Sequence, residues 1–192
     1  MAFALLLAPA DLLAQSATRY DWRLPPGFPV PLVPVDNPMS QAKVDLGEQL
    51  FYETRLSVTG TYSCASCHDP RRAFSDARGH ALGATGAQLA VSAMTLTNVA
   101  YNASYGWSHL RVRTLEAQMR QPLFNVHPIE LGLRGREDPL IASLAADEGY
   151  RAAFAQAFTA RGGESTVTMQ HVIRAIAAFE RTLISGNSAF DR

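Results

Sequence analysis

Five consecutive residues, Cys64 to His68, read CASCH and place two thiols three positions apart, directly before an imidazole. Each thiol can add to one vinyl group of a haem, and the histidine that follows can coordinate the iron. The motif therefore predicts a covalently bound c-type haem, attached through Cys64 and Cys67 and ligated by His68.

Three other uses of the cysteine pair are less well supported by the sequence. A redox-active CxxC usually follows an apolar strand, whereas residues 57–63 read SVTGTYS and are polar. Zinc needs four ligands, and the chain has only two cysteines. No HxxxH spacing occurs among the remaining histidines: His80, His109, His127 and His171. A disulfide across two residues closes too short a loop to stabilise much. Disulfide and metal stay open as minor alternatives to haem.

Composition describes one globular unit with no charge bias. The chain has 192 residues, of which 47% are hydrophobic and 18% charged, enough to bury one core. Because 17 basic residues balance 17 acidic ones, neither nucleic acid nor an anionic membrane surface is predicted as a partner.

Residues 1–19 contain an apolar run followed by small residues, without the positive start of a complete signal peptide. We interpret them as an incomplete leader, with an ordinary buried segment as the alternative. The run is too short to span a bilayer. Since haem is attached to CxxCH motifs outside the bacterial cytoplasm, the leader and the motif together predict the periplasm.

The sequence pattern divides the chain into three segments. After the leader, residues 20–38 are rich in proline, which predicts an extended lead rather than helix or central strand. Residues 39–192 carry helical apolar spacing and no useful strand alternation, which predicts a haem domain. The expected fold class is therefore mainly α, a cytochrome c-like helical haem domain with long irregular loops. The glycines of residues 75–86 predict a loop over the haem.

Helix ends are indicated by capping residues and prolines. Asn37 or Ser40 can begin a helix that runs to Tyr52. A short helix is expected over residues 115–119, with Pro122 among the residues that interrupt the next segment. Asp138 as N-cap and Pro139 as first helical residue predict the next helix, and Tyr150, Phe154 and Phe158 lie on another. The last helix begins after Thr166 or Thr168 and carries an apolar stripe, from which His171 falls away toward the surface.

From residue 44 onward the chain resembles the first haem domain of bacterial di-haem cytochrome c peroxidases and their MauG-type relatives. The matching blocks occur in family order: LGEQLFYETRLS (46–57), SCASCHDPRRAFSD (63–76), TLTNVAYN (95–102), LEAQMRQPL (115–123) and IAAFERTLISGNSAFDR (176–192). The lead DWRLPPGFPVPLVPVDNPMS (21–40) and VHPIELGL (126–133) are most similar to di-haem enzymes of methanobactin operons, which oxidise a tryptophan of a partner protein.

The resemblance implies roles for several residues. Cys64 and Cys67 match the thioether cysteines, and His68 matches the proximal ligand of the peroxidatic haem. Trp107 resembles the tryptophan between the two haems, a stepping stone for electrons or holes; its alternative is plain core packing. The family has FWDGR there, but this chain reads YGWSHLR, with His109 beside the tryptophan.

The distal pocket is implied in the same way. Gln118 matches the family glutamine, Pro122 the proline that walls the pocket, and Glu130 the glutamate that moves protons during cleavage of the peroxide O–O bond. Glu130 is two residues further from Pro122 than is usual, and its alternative is an ordinary surface carboxylate. Outside the motif, Gln118 would be taken for a solvated residue.

Two departures concern calcium and gating. The asparagine that usually binds the calcium between the haems is replaced by Ser92, so calcium is expected through a weaker hydroxyl ligand. Ala84 stands where gated relatives place a loop histidine on the iron, and His80 is the nearest candidate. We therefore predict an iron that is open without reductive activation.

The predicted function is a periplasmic haem oxidoreductase that uses hydrogen peroxide and takes electrons from a small redox protein or from the tryptophan of a partner protein. The alternative is a non-catalytic mono-haem electron-transfer cytochrome, closed by Met94 or Met119. A helical interaction module without haem is a third interpretation. The family's second CxxCH domain is missing from this sequence, so we expect a fragment or half of a split enzyme, which binds one haem and is poorly active alone. The electron donor and the oligomeric state are not indicated.

Overall fold

The computed structural model describes residues 20–107, 111–160 and 164–190, and these residues are mainly helical, as the sequence predicted. Five α-helices occur in them: α1 (Gln41–Phe51), α2 (Leu115–Phe124), α3 (Glu137–Ala146), α4 (Glu148–Ala157) and α5 (Met169–Glu180). Strand-like pairing in these ranges is limited to two isolated bridges. No helix there is long and apolar enough to cross a membrane. The predicted leader, residues 1–19, and His109 lie outside the described residues.

Helices α1 and α5 pack against each other at the centre of the fold. The Ser40 hydroxyl caps α1 by accepting from the Lys43 amide, and the Thr168 hydroxyl caps α5 by accepting from the His171 amide. At the crossing, a Cβ added to Gly47 would lie 2.0 Å from the Ala175 carbonyl oxygen. The absence of a side chain at Gly47 is what lets the two backbones approach.

The core around this pair is apolar and continuous. Its largest fully buried apolar side chains come from all five helices and from the segments between them: Leu46, Leu50, Phe51, Leu56, Leu115, Leu123, Leu133, Leu144, Phe154, Val172 and Ile176. The apolar stripe predicted on α5 is therefore the face that this helix buries.

His171 departs from the prediction that it is a surface residue. Its ring is partly buried and stacks on Phe158, with 4.0 Å between ring centroids. Its Nδ1 also lies 2.7 Å from the Thr166 carbonyl oxygen. The aromatic contact holds the ring against the protein even though the residue lies off the main apolar stripe.

Helix α2 is longer than predicted, because it continues through Pro122 to Phe124. A proline costs the helix the hydrogen bond from its own missing amide and crowds the preceding turn. Here Leu115, near one end, and Leu123, after the proline, are both buried, and this packing holds the last turn in place. The amides of Leu131 and Leu133 donate to the Pro122 and Leu123 carbonyls as the chain returns.

Helix α3 begins at Glu137, with Arg136 as its N-cap, so it starts two residues earlier than the predicted cap, Asp138, implied. Pro139 consequently occupies the third helical position, where an amide has no partner inside the helix and proline costs nothing. Helix α4 begins after Asp147, whose carboxylate accepts from the Tyr150 amide.

The proline-rich lead has turns but no helix or strand. Leu32 and Val35 are exposed, whereas Asn37 is fully buried. Asn37 does not cap α1; its side chain donates to Glu116 of α2 and to the Arg174 carbonyl of α5, and accepts from Lys43. The Asn37 side chain thus connects the lead to α1, α2 and α5 by hydrogen bonds.

Candidate functional site: a cavity beside the CASCH turn

A cavity of about 350 Å³ opens between the CASCH segment, the loop after it, α2 and the end of α5. This volume lies in the range of cofactor and ligand pockets, roughly 300–1,000 Å³. Cys64, Cys67 and His68 line it. So do the five other residues singled out from the sequence: Ser92, Trp107, Gln118, Pro122 and Glu130. The fold thus brings every predicted site residue to one cavity.

The CASCH segment forms a short 3₁₀ turn over Cys64–Ser66. The Ser63 amide donates to the Ser66 hydroxyl, and the amides of Cys67 and His68 both donate to the Cys64 carbonyl. This tight turn places both sulfurs and the imidazole at the same cavity.

Both cysteines are free thiols, so the disulfide alternative is not realised in the structure. Burial raises the pKa of the Cys67 thiol to about 11 and raises that of Cys64 as well. Redox-active CxxC pairs have lowered thiol pKa values in electropositive surroundings, and this pair has the opposite environment.

His68 is oriented for binding a metal through one nitrogen. Its Nδ1 lies 2.8 Å from the Phe74 carbonyl oxygen, to which it donates in the tautomer that leaves Nε2 free. A backbone carbonyl on the second ring nitrogen is the usual support of a metal-binding histidine. Burial lowers the pKa of His68 more than its hydrogen bonds with the Phe74 and Met94 backbones raise it, so the ring is neutral and able to ligate.

The carbonyl under His68 is itself held by an unusual stretch of backbone. Ala73 and Phe74 both have left-handed dihedral angles, with φ of 55° and 57°. The hydroxyls of Thr95 and Thr97 donate to the Ala73 carbonyl and fix this conformation. Strained backbone that is held by surrounding contacts is typical of functional sites.

The cavity fits a covalently attached haem. Two thiols that form no disulfide, a histidine whose Nε2 is unprotonated in the tautomer described above, and a cavity of suitable volume are the groups that such a haem needs. Clusters of three or more histidine, cysteine, aspartate or glutamate side chains, the pattern of a zinc site, do not occur in the described ranges.

Helix α2 supplies one wall of the cavity. Gln118 and Pro122 are four residues apart and so lie on the same helix face. Both are partly buried at the cavity, so Gln118 is not the freely solvated residue that its type alone would indicate.

Glu130 reaches the cavity because its backbone is fixed on both sides. The Leu131 amide donates to Pro122, and the Glu130 carbonyl accepts from Ala84 at 2.6 Å. At Gly83 a Cβ would lie 1.9 Å from the Ile129 carbonyl oxygen, so glycine is required where the two loops meet. Despite its greater separation from Pro122 along the chain, Glu130 is therefore not displaced from the cavity.

Burial raises the pKa of the Glu130 carboxyl. A hydrogen bond from the Asn125 side chain lowers this pKa in turn, but by less. A carboxyl whose pKa is raised toward neutrality can both accept and donate a proton. Sequence analysis missed Asn125, because nothing in its own neighbourhood marks it as a partner of Glu130.

Trp107 lies at the mouth of the cavity and is 59% exposed. Its indole Nε1–H donates to the Ser92 carbonyl oxygen at 2.9 Å. The alternative interpretation of Trp107 as core packing is wrong. A large aromatic side chain that is exposed and yet held by a hydrogen bond is available to a neighbouring group or protein.

The residues considered for closing the iron lie in different places. His80 is exposed, and its Nδ1 lies 3.1 Å from the Leu89 carbonyl oxygen. Ala84 is buried, and its amide donates to the Glu130 carbonyl, whereas Met94 and Met119 both line the cavity.

Sequence analysis also missed Glu180, the last residue of α5, which lines the cavity from the side of Cys64. The signal that marks it is its position four residues after Ile176, on the apolar stripe of the helix. A carboxylate on such a face is uncommon unless it is paired or functional.

The fold and the site define a class of protein, a c-type haem protein built on a helical domain. The sequence profile of the di-haem cytochrome c peroxidase family matches residues 41–192. The chain belongs to this family.

Its relatives include MauG proteins and peroxidases. The chain is 34% identical over 188 residues to the methylamine utilization protein MauG of Methylophilus methylotrophus, covering 98% of this chain and 52% of that protein. It is 34% identical over 164 residues to the cytochrome c peroxidase Ccp of Escherichia coli, covering 85% of this chain and 33% of that protein. The chain thus spans about half the length of the MauG proteins that it matches.

Solved structures agree with the fold. A crystal structure of a MauG-like protein associated with microbial copper homeostasis superposes with a TM-score of 0.85 at 41% identity, covering 90% of this chain and 49% of that one. The diheme peroxidase BthA from Burkholderia thailandensis superposes with a TM-score of 0.60 at 27% identity, covering 76% of this chain and 39% of that one.

Proposed function

We propose that this chain forms the haem-binding, peroxide-activating site of a MauG-type di-haem peroxidase. The observation that supports this most directly is the single cavity that joins the CASCH turn to Glu130 and Gln118. Hydrogen peroxide is the oxidant in this proposal, and with two electrons and two protons it yields two molecules of water. Cys64 and Cys67 would attach the haem, and His68 would ligate its iron.

Glu130 handles the protons in this proposal. The bound haem supplies an iron atom that binds peroxide and accepts and releases electrons. With the haem in place, Glu130 would take a proton from one peroxide oxygen and return it to the other as the O–O bond breaks. Burial, which raises the pKa of Glu130, makes the first of these transfers easier, because it strengthens the carboxylate as a base. Gln118 and Pro122 wall the space in which the peroxide sits.

Trp107 carries electrons or holes across the mouth of the cavity. Its exposure places it at the surface, where a second haem or a partner protein can approach. The electron source is a small redox protein, or the tryptophan of a partner protein as in the methanobactin-associated enzymes. The 41% identity to a MauG-like protein associated with copper homeostasis supports the second source, and with it a periplasmic location. Ser92 as a calcium ligand and an iron open without reductive activation remain part of the proposal.

Replacing Glu130 by glutamine tests the role in proton transfer. We expect the reaction of the oxidised, haem-loaded protein with peroxide to slow by about 10²–10⁴-fold, the usual contribution of a general acid–base residue. Stopped-flow absorbance of the haem band measures this rate, and cyanide binding reports whether the iron site is still open. The matched control is Glu148→Gln, which removes an exposed carboxylate on α4. A Glu130→Gln protein that reacts at the wild-type rate would refute the proposal.

A second candidate function is electron transfer without catalysis, which is favoured by the presence of Met94 and Met119 at the cavity. A methionine bound to the iron makes it six-coordinate and slow to bind cyanide. Replacing each methionine by leucine preserves the apolar volume. If wild type is low-spin and either change gives a protein whose iron binds cyanide readily, the chain is an electron carrier rather than a peroxidase.

A further inference from the structure

Glu180 is a buried carboxyl that the proposed peroxide chemistry does not use. It lines the cavity and is only 5% exposed. Within the described part of the chain, its Oε2 atom is buried without a hydrogen-bond partner. It is also the last residue of α5, where the negative end of the helix dipole disfavours a carboxylate. Its position therefore favours the protonated form.

The positive charge that acts on Glu180, that of Arg181, is already engaged by another group. The Arg181 guanidinium is 3% exposed and donates to the Glu116 carboxylate of α2 at 2.6 Å. Glu116 also accepts from the buried Asn37 amide at 2.7 Å. Glu180 is thus left beside an ion pair whose charges largely cancel.

The other groups that face Glu180 add no positive charge. Cys64 faces it from the CASCH turn, and Tyr105 interacts with it from the segment before α2. Thioether formation would make the Cys64 sulfur permanently neutral. Burial raises the pKa of Glu180 to about 8. The nearby Arg181 charge lowers this pKa, and the Glu116 charge raises it.

A haem joined to Cys64 would lie in the same cavity as this carboxyl, which is itself buried from solvent. Charges interact strongly where the effective dielectric constant is low. The negative carboxylate is then stabilised by oxidised iron, which carries one more positive charge than reduced iron. Reciprocally, ionisation of the carboxyl stabilises the oxidised state.

We propose that Glu180 couples proton uptake to reduction of the haem held by Cys64 and Cys67. As one electron enters the haem from a reductant, the Glu180 carboxylate takes one proton from solvent and becomes a carboxylic acid. Oxidation of the haem releases the proton again. The inference depends on the haem attachment in the proposed function but not on the peroxide chemistry.

Spectroelectrochemical titration of the haem-loaded protein tests the coupling at a series of pH values on either side of 8. In wild type the haem should become harder to reduce as pH rises through this window, by up to about tenfold in the reduction equilibrium constant per pH unit, the limit for one proton per electron. The haem of Glu180→Gln should have a reduction potential that does not change with pH in this window. It should stay as easy to reduce as the wild-type haem is at low pH, because glutamine is neutral like the protonated carboxyl. Glu48→Gln, which removes an exposed carboxylate on α1, should keep the wild-type dependence.

Two outcomes would overturn the inference. One is a wild-type potential that does not vary with pH in this window, a result that needs no variant to fold. The other is a Glu180→Gln protein that keeps the wild-type slope, which would place the titrating group elsewhere. A protein that carries haem and reacts with peroxide but shows either result refutes the coupling alone. A protein whose mass shows no haem refutes the proposed function as well.

A pH-indicator dye provides an independent measurement. Chemical reduction of wild type near pH 8 should remove protons from a weakly buffered solution, and Glu180→Gln should remove fewer. Equal uptake by both proteins would contradict the inference.

Discussion

The α1–α5 crossing and the loop wall of the cavity, residues 57–107, meet at the end of α5. The crossing consists of regular helix, whereas the loop wall is irregular. At the crossing two regular helices approach through Gly47, and their inner faces are fully buried. The loop wall, residues 57–107, consists of turns, three short 3₁₀ segments and residues with positive φ.

The difference shows how stability and chemistry are divided in this domain. Helices satisfy their own backbone hydrogen bonds and can bury continuous apolar faces, so they form the core. Loops can aim individual side chains and carbonyls, as the Phe74 carbonyl is aimed at His68. Changes in the loop wall should therefore abolish cofactor binding, and changes at the crossing should lower stability.

Removing both thiols is the change with the largest expected effect. Cys64→Ala with Cys67→Ala should eliminate covalent haem, since each thioether bond needs its own sulfur. Intact-mass spectrometry of exported protein measures this directly. Ser66→Ala, inside the same turn, retains both thiols and should still carry haem. Covalent haem on the double variant would show that the loop wall does not hold the cofactor.

Arg181→Ala should cost about 3–5 kcal/mol of folding free energy, because it leaves the partly buried Glu116 carboxylate without its only charged partner among the described residues. Urea unfolding of the haem-loaded protein measures the loss. The control is Arg174→Ala on the same helix, whose ion pair is with the exposed Asp36 and should contribute about 1 kcal/mol or less. Equal losses in the two variants would mean that burial at the end of α5 adds nothing.

Gly47→Ala should destabilise the protein by about 1–3 kcal/mol, since the added methyl group collides with the α5 backbone. Helix propensity alone predicts a change of opposite sign, about 1 kcal/mol in favour of alanine. Gly149→Ala on α4, where a Cβ meets only the Asp147 side chain at 3.3 Å, is the control and should be neutral or stabilising. Similar behaviour of the two variants would contradict a close crossing.

Thr168→Ala should have the smallest effect, about 1 kcal/mol, because it removes the hydroxyl that caps α5. Thr168→Ser keeps the cap and should restore most of the stability. The haem absorption spectrum should stay the same in both proteins. A changed spectrum would show that the beginning of α5 influences the cavity, which the division between core and loop wall does not predict.

Much of the fold could be predicted from neighbours in the sequence. Ser40 and Thr168 cap their helices through hydroxyls that reach three residues ahead, a relation that is visible in the local sequence. Where the prediction was wrong, packing had overridden a local signal. Pro122 lies inside α2 because Leu123 beyond it is buried, and His171 is partly buried because Phe158 stacks on it.

In the candidate site, too, some features follow from the local sequence and others depend on tertiary packing. By itself, the sequence determined which residues are the candidates for haem attachment, because Cys64, Cys67 and His68 are related by their spacing along a single turn. Only the tertiary structure decided that Glu180 lies unpaired at the cavity while Arg181 serves Glu116, 65 residues away. Burial and charge pairing depend on groups that are remote in the chain, and no local pattern records them.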